Sequence, residues 1–131
     1  MGIREEAIRL HESGFNCAQS VLCACGKYTG LDDDTALALS AGFGGGVRCG
    51  EICGAISGAV MAIGMAYPFA DASDTKAKER IAALTRECTG RFENEYGCVR
   101  CCELKASGCG CAALIEYAAA LAEDIINVNK K

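Results

Sequence analysis

The 131-residue sequence contains no tryptophan, one proline and one histidine. Its Lys and Arg residues are scattered along the chain, and its formal net charge is −4. Because nucleic-acid binding depends on clustered basic side chains, we expect no nucleic-acid partner. Cys–His nucleophilic catalysis would depend entirely on His11, which we interpret as a solvated residue near the end of the first helix.

The sequence also shows little that indicates secretion or a membrane location. Its first residues have no basic segment followed by an apolar run, so we predict no secretion signal. Residues 52–70 carry no charge and approach the length of a bilayer span, but they are rich in Gly and Ala and contain Pro68. We therefore expect a cytoplasmic protein outside the membrane, with this segment as a buried central helix.

Cysteine is the abundant residue type, with 11 in the chain. A domain of this length buries a hydrophobic core without crosslinks, so disulfides are not needed to hold it together. Because the number is odd, at least one thiol has no partner within the chain. Cysteine-rich cytosolic chains are more often metal or redox proteins than disulfide scaffolds. We therefore expect the cysteines to carry the chemistry.

Apolar residues recur at helical spacing, and no segment alternates as a strand would. Helices are predicted over residues 4–13, 17–29, 32–41, 50–66, 74–96 and 111–127. Asn16, Asp32 and either Ser73 or Asp74 are placed to begin three of these helices, and Gly97 is placed to end one. The sequence therefore predicts one all-α domain over residues 1–131, a bundle of five to six helices around a Gly/Ala-rich central helix.

A stripe of very small residues runs along the predicted central helix, formed by Gly54, Gly58 and Ala62. Such a stripe lets another helix approach the backbone closely. The sequence leaves open whether that second helix belongs to the same chain or to the other copy in a homodimer.

Most of the cysteines fall in two groups that have the character of a metal or redox site. Cys49 and Cys53 are four residues apart and would share one face if both lay at the start of the central helix. The positive end of a helix favours the thiolate, which binds metals and attacks disulfides. The second group lies between Cys98 and Cys111 and contains the CxxC pair Cys98–Cys101. The predicted metal ligands of both groups are Cys49, Cys53, Cys98, Cys101, Cys102, Cys109 and Cys111. Cys88 lies on an apolar helical stripe and is predicted to be core.

Several segments resemble, in chain order, the C_GCAxxG_C_C family of redox-active proteins: Gly14–Leu22, Gly42–Gly46, Cys49–Gly58, Cys101–Leu104 and Cys111. The resemblance covers nearly the whole chain and implies a redox role carried by cysteines. It assigns the cofactor-binding positions to Cys17, Cys53, Cys101 and Cys111, with Cys49 accompanying Cys53. A similar domain in split-Soret-type cytochromes is associated with an iron–sulfur cluster, so the resemblance leads us to expect such a cluster here.

Three functions are open at this point. The first is an electron-transfer protein that binds an iron–sulfur cluster through thiolates from several helices and exchanges electrons with a redox partner protein. The second is a thiol–disulfide oxidoreductase that cycles the pair Cys98–Cys101 or the pair Cys49–Cys53. The third is a structural zinc–thiolate protein without redox chemistry.

Overall fold

A computed structural model describes residues 2–129. Within that range the chain forms eight α-helices, two short irregular helical turns and a single isolated β-bridge. The helices are α1 (Ile3–Glu12), α2 (Cys17–Ala24), α3 (Gly26–Thr29), α4 (Asp33–Ser40), α5 (Gly54–Ala66), α6 (Thr75–Tyr96), α7 (Cys101–Ala106) and α8 (Cys111–Val128). The all-α class predicted from the sequence is confirmed.

The predicted number of five to six helices is wrong. The helix expected over residues 17–29 breaks at Cys25, where the backbone leaves the helical conformation, and α3 follows as a separate short helix that ends at Gly30. A second short helix, α7, forms within the cysteine-dense segment after Gly97. Both are only one or two turns long, which is too short to show a hydrophobic period.

The predicted helix starts agree with the structure because their caps are local. Asn16 and Gln19 form a capping box at α2, in which each backbone N–H donates to the other residue's side-chain oxygen at 2.9 and 3.1 Å. Asp32 and Asp74 cap α4 and α6. These bonds satisfy amides that have no partner inside the helix. The box at α2 makes Cys17 the first residue of that helix.

The small-residue stripe packs within the chain, since α5 lies directly against α2. A Cβ added at Gly58 would lie 2.7 Å from the Ala18 carbonyl oxygen and 3.0 Å from Val21 Cβ. The two helices therefore approach as closely as they do only because Gly58 has no side chain. Gly54 allows the same close approach at the preceding turn of α5, opposite Cys17.

The core lies between α1, α2, α5, α6 and α8. Its largest fully buried side chains are apolar and include Leu22, Ile56, Ile63, Phe92, Leu104, Ile115 and Ile125. Cys88 is buried among them, as predicted. Among the helices of residues 2–129, none has both the length and the apolar character that a membrane crossing requires.

The segment before α5 is irregular, although a helix is predicted there from residue 50 or 51. Gly45, Gly46, Val47 and Arg48 all have positive φ, at 65°, 64°, 58° and 61°, and together form a left-handed turn. This conformation costs roughly 1–2 kcal/mol for each residue other than glycine. A Cβ at Gly46 would lie 2.5 Å from the Glu51 nitrogen, so the turn needs glycine there.

A short antiparallel bridge follows this turn and delays the start of α5. The Cys53 amide donates to the Val99 carbonyl at 2.8 Å, and the Cys101 amide donates to the Glu51 carbonyl at 2.6 Å. Cys53 is therefore the N-cap of α5, while Cys49 lies outside any α-helix. The prediction that Cys49 and Cys53 share one helix face is wrong.

Candidate functional site

Four cysteines line one cleft of about 230 Å³. Cys17, Cys101 and Cys111 are the first residues of α2, α7 and α8, and Cys53 is the N-cap of α5. All four thiols therefore lie at helix N-termini. The remaining wall residues are His11, Asn16, Gly45, Arg48, Leu104, Lys105 and Leu114.

Cys17 and Cys53 form a hydrogen-bonded thiol pair at this cleft. The Cys53 thiol donates to the Cys17 sulfur, and this bond lowers the pKa of Cys17 from its ordinary value of 9.0 to about 5, against the opposing effect of burial. The backbone N–H groups of Gly45 and Ala18 add to the lowering. The ionised form of Cys17 is therefore favoured.

The pKa of Cys53 moves in the opposite direction. Its proton is held in the hydrogen bond to Cys17, and this is the main reason that its pKa rises above 9.0; burial adds to the rise. The amides of Ala55 and Ile56 oppose it. Cys53 is 3% exposed, whereas Cys17 is half-buried. The pair thus consists of a half-buried thiol at the cleft, whose ionised form is favoured, and a buried thiol that keeps its proton more tightly.

The approach of the two sulfurs depends on Gly54. A Cβ at this position would lie 2.5 Å from the Cys17 sulfur and 2.8 Å from the Phe43 carbonyl oxygen. Asn16 holds the start of α2, and with it Cys17, in place, because its side-chain amide donates to the Ala41 carbonyl at 3.0 Å. The first turn of α2 is therefore anchored to the segment that precedes α5.

Cys101 and Cys111 complete the set of thiols in the cleft. Burial raises the pKa of Cys101, the charge of Lys105 opposes this, and the charges of Cys17 and Cys111 add to the rise. Cys101 is buried and Cys111 is exposed. Within residues 2–129, however, no three Cys, His, Asp or Glu side chains lie close enough together to hold a metal ion.

Four of the cysteines predicted as metal ligands do not line the cleft: Cys49, Cys98, Cys102 and Cys109. Cys49 is exposed, and its thiol donates to the Gly46 carbonyl at 3.4 Å. Cys102 is also exposed, whereas Cys98 and Cys109 are half-buried against the core.

The structure also changes the candidate redox pairs. The sequence pairs Cys53 with Cys49, but the Cys53 thiol contacts Cys17 instead. The two cysteines of the CxxC pair lie in different places, because Cys101 lines the cleft and Cys98 does not.

Three basic residues of the cleft were not predicted from the sequence. His11 lies near the end of α1, as expected, but it faces the cleft, with its Nδ1 3.3 Å from the Phe15 carbonyl oxygen. Lys105 follows Cys101 by four residues on α7, a spacing that places both on one face and could have been found. Arg48 gave no signal, because nothing in the sequence marks the left-handed turn that holds it.

Fold and site together define an all-helical protein with a cysteine-lined cleft in which the pKa of one thiol is lowered. The sequence pattern of the C_GCAxxG_C_C family, described as "putative redox-active protein", matches residues 15–125, so the chain belongs to this family. The resemblance stated above is confirmed, and the four cysteines that it assigned to the family pattern are the four that line the cleft. No curated protein and no solved structure matches the chain.

Proposed function

We propose that the chain is a dithiol redox protein in which Cys17 and Cys53 alternate between the reduced pair and a disulfide. The observation that carries this proposal is the contact between an ionised and a protonated thiol at the cleft. Thiol–disulfide exchange requires a thiolate as the attacking group. Cys17 meets this requirement at neutral pH, and Cys53 is placed to resolve the intermediate.

The reaction with a disulfide substrate has two steps. The Cys17 thiolate attacks one substrate sulfur, the substrate S–S bond breaks, and the first half leaves as a thiolate. Cys53 then attacks the Cys17 sulfur of the mixed disulfide, which releases the second half of the substrate. The proton of Cys53 leaves with that half as its thiol. Two electrons pass from the protein pair to the substrate disulfide.

The high pKa of Cys53 in the reduced pair does not prevent the second step. Its main cause is the hydrogen bond to the Cys17 thiolate. When Cys17 enters the mixed disulfide, it loses its negative charge and becomes a weak acceptor, so that cause disappears. Burial remains and still raises the pKa of Cys53, and the amides of Ala55 and Ile56 remain and oppose it. Formation of the mixed disulfide therefore lowers the pKa of the resolving thiol from its value in the reduced pair.

Trapping with a small disulfide under anaerobic conditions tests this proposal. Peptide mapping by mass spectrometry should find a Cys17–Cys53 disulfide in the oxidised protein. Cys53→Ser should stop at a mixed disulfide on Cys17, and Cys17→Ser should give neither product. Cys49→Ser is the control, since Cys49 lies outside the cleft and should not change the outcome. A disulfide that forms only between other cysteines would contradict the proposal.

A second candidate function is electron transfer through an iron–sulfur cluster bound by the same four thiols. It is favoured by the convergence of Cys17, Cys53, Cys101 and Cys111 from four helices on one cleft, because thiolates are the usual ligands of such clusters. Four cysteine thiols are the right type of ligand for such a cluster. Their spacing in this structure does not fit it, since no three of the described side chains reach one ion. Binding a cluster would require these thiols to move closer together.

Anaerobic purification with an absorption spectrum and iron, zinc and sulfide analysis tests the second candidate. A brown protein with stoichiometric iron and sulfide would support it, and Cys101→Ser or Cys111→Ser should remove both. The same two variants should still form the Cys17–Cys53 disulfide, which separates the two functions. A colourless protein without iron or sulfide contradicts the cluster, and stoichiometric zinc would favour the structural role.

A further inference from the structure

Two cations lie on the walls of the cleft. Arg48 and Lys105 line it, and no carboxylate of the described residues does, although the whole chain has a net charge of −4. Arg48 and Lys105 form no ion pair within residues 2–129. By contrast, Arg91 and Arg100 each pair with two carboxylates. The two cations of the cleft are thus available to a ligand.

The left-handed turn places one of these cations on the wall of the cleft that Cys17 also lines. Arg48 lies on the cleft with φ at 61°, and the Gly45 amide in the same turn donates to the Cys17 sulfur. One strained segment therefore supplies both a hydrogen-bond donor for the Cys17 sulfur and a positive charge on the same cleft. Strain of this kind persists only where surrounding contacts fix the backbone, and the hydrogen bond from the Glu51 amide to the Gly46 carbonyl at 3.0 Å does so here.

The charges of the cleft change during the proposed reaction. In the reduced pair, the Cys17 thiolate offsets one of the two positive charges of Arg48 and Lys105. In the mixed disulfide the thiolate charge is lost, and both cations face the bound half of the substrate. A carboxylate on that half would form charge-assisted hydrogen bonds with them. The volume of about 230 Å³ lies below the usual range for drug-sized ligands, so it suits a small molecule.

We propose that the substrate of the Cys17–Cys53 pair is a small anionic thiol in its disulfide form, whose carboxylates are bound by Arg48 and Lys105 while Cys17 attacks its sulfur. This inference rests on the proposed dithiol function. The step is the one described above: the anionic disulfide takes up two electrons from the protein pair, and its halves leave as one thiolate and one thiol.

Three symmetrical disulfides that differ in charge provide the test: dithiodipropionate with two carboxylates, hydroxyethyl disulfide without charge, and cystamine with two ammonium groups. The rate of protein oxidation by each is divided by the rate of the same disulfide with free mercaptoethanol, which removes intrinsic reactivity. We expect the anionic probe to react about tenfold faster than the neutral one on this scale, and the cationic probe to react more slowly. Added salt should reduce the difference.

Substitutions of the two cations test whether they cause the preference for the anionic probe. The double variant Arg48→Gln with Lys105→Gln should bring the anionic-to-neutral ratio close to one, whereas Arg48→Lys should retain most of it. Because both probes act on the same variant, a change in the pKa of Cys17 cancels in the ratio. Lys78→Gln on α6 is the matched control, since Lys78 is exposed and does not line the cleft.

The outcomes separate this inference from the function on which it rests. Equal corrected rates for the three probes would overturn the anionic substrate and leave the dithiol function intact. Selectivity that survives in the double variant would overturn the assignment to Arg48 and Lys105. If none of the three probes produced the Cys17–Cys53 disulfide, the proposed function and the inference would both fail.

Discussion

Helix α2 has a cysteine at each end, and the two differ in charge and in access. Cys17, its first residue, is half-buried and has a pKa lowered to about 5 by the Cys53 thiol and by backbone N–H groups. Cys25, the C-cap, is fully buried, and its pKa is raised to about 12, first by burial and then by the charge of Glu123. Backbone N–H groups that have no partner inside the helix donate to the Cys17 sulfur, whereas a helix C-terminus presents carbonyl oxygens to Cys25.

The comparison shows that abundance of cysteine is not itself the functional signal in this chain. Burial raises the pKa of Cys88 to about 12, as it does for Cys25, and such thiols act as small apolar side chains. Cys53 is also raised, but mainly because it serves as the donor to Cys17. Reactivity therefore follows from the end of the helix on which a thiol lies and from its access to the cleft.

Substitution at the two ends of α2 should give the largest contrast. Cys17→Ser should bring the rate of disulfide formation below detection, a fall of about 10³-fold or more, because a serine oxygen cannot form the S–S bond with Cys53. Cys25→Ser should leave that rate unchanged but lower the free energy of unfolding by about 1–3 kcal/mol, since it puts a hydroxyl into an apolar site. Single-turnover kinetics and urea unfolding measure the two effects. Loss of the reaction in Cys25→Ser without destabilisation would invalidate the comparison.

The pH dependence of alkylation should separate the same two thiols. Iodoacetamide should modify Cys17 at a nearly constant rate above about pH 6, and the rate should fall about tenfold for each pH unit below about 5. Cys25 should stay unmodified in the folded protein throughout. Peptide-resolved mass spectrometry gives both rates. A Cys17 rate that still rises steeply between pH 7 and pH 9 would show an unperturbed thiol.

The opposite pKa shifts also give stability a maximum near pH 9. The pKa of Cys17 is lowered, so its contribution is complete above the unfolded value of 9.0 and is lost as pH falls through about 5. The pKa of Cys25 is raised, so its contribution is present below 9.0 and is lost as pH rises through about 12. The melting temperature should rise between pH 5 and pH 9 and fall beyond it. Cys17→Ser should lose the rise, and Cys25→Ser should keep it.

Two glycines of α5 test the close approach that creates the Cys17 environment. Gly54→Ala should cost about 1–3 kcal/mol of unfolding free energy and slow disulfide formation, because the new Cβ would push the Cys17 sulfur away from Cys53. Gly64→Ala on the same helix meets no atom within 4 Å and should stabilise the protein by about 0.5–1 kcal/mol. A Gly54→Ala protein with unchanged kinetics would show that the contact is not needed.

The elements of the fold that could be predicted are those fixed by neighbouring residues. Asn16 and Asp74 cap their helices through side chains three residues from their partners, and Gly97 ends α6 with a positive φ. The start of α5 could not be predicted. It depends on the pairing of Ile52 with Arg100, a contact between distant segments, while the residues before Gly54 show no local signal against a helix.

The same division applies to the site. The family resemblance names Cys17, Cys53, Cys101 and Cys111, and the structure brings these four to one cleft. Which two of them touch could not be predicted, because the contact depends on how α2 packs against the start of α5. The short spacing of Cys49 and Cys53 was misleading, since the left-handed turn and the bridge place Cys49 outside the helix.

Removal of one surface cation should give the smallest effect. Arg100 lies beside the cleft cysteines and pairs with Glu51 at 3.1 Å and Glu103 at 2.9 Å. Solvent screens exposed ion pairs, which therefore contribute little to stability, so Arg100→Ala should lower the free energy of unfolding only slightly. Arg91→Ala is the matched control, because Arg91 is similarly exposed and also pairs with two carboxylates.

The two arginine variants should differ in the chemistry of the pair even though their stabilities are similar. Arg100 belongs to the bridge that positions Cys53 and Cys101, whereas Arg91 joins α6 to α8 and does not line the cleft. Arg100→Ala should therefore slow the second step, in which Cys53 resolves the mixed disulfide, and Arg91→Ala should not. Equal rates in the two variants would mean that the backbone hydrogen bonds of the bridge hold Cys53 in place without the ion pairs. The selectivity of thiol chemistry would then depend on the helix ends alone.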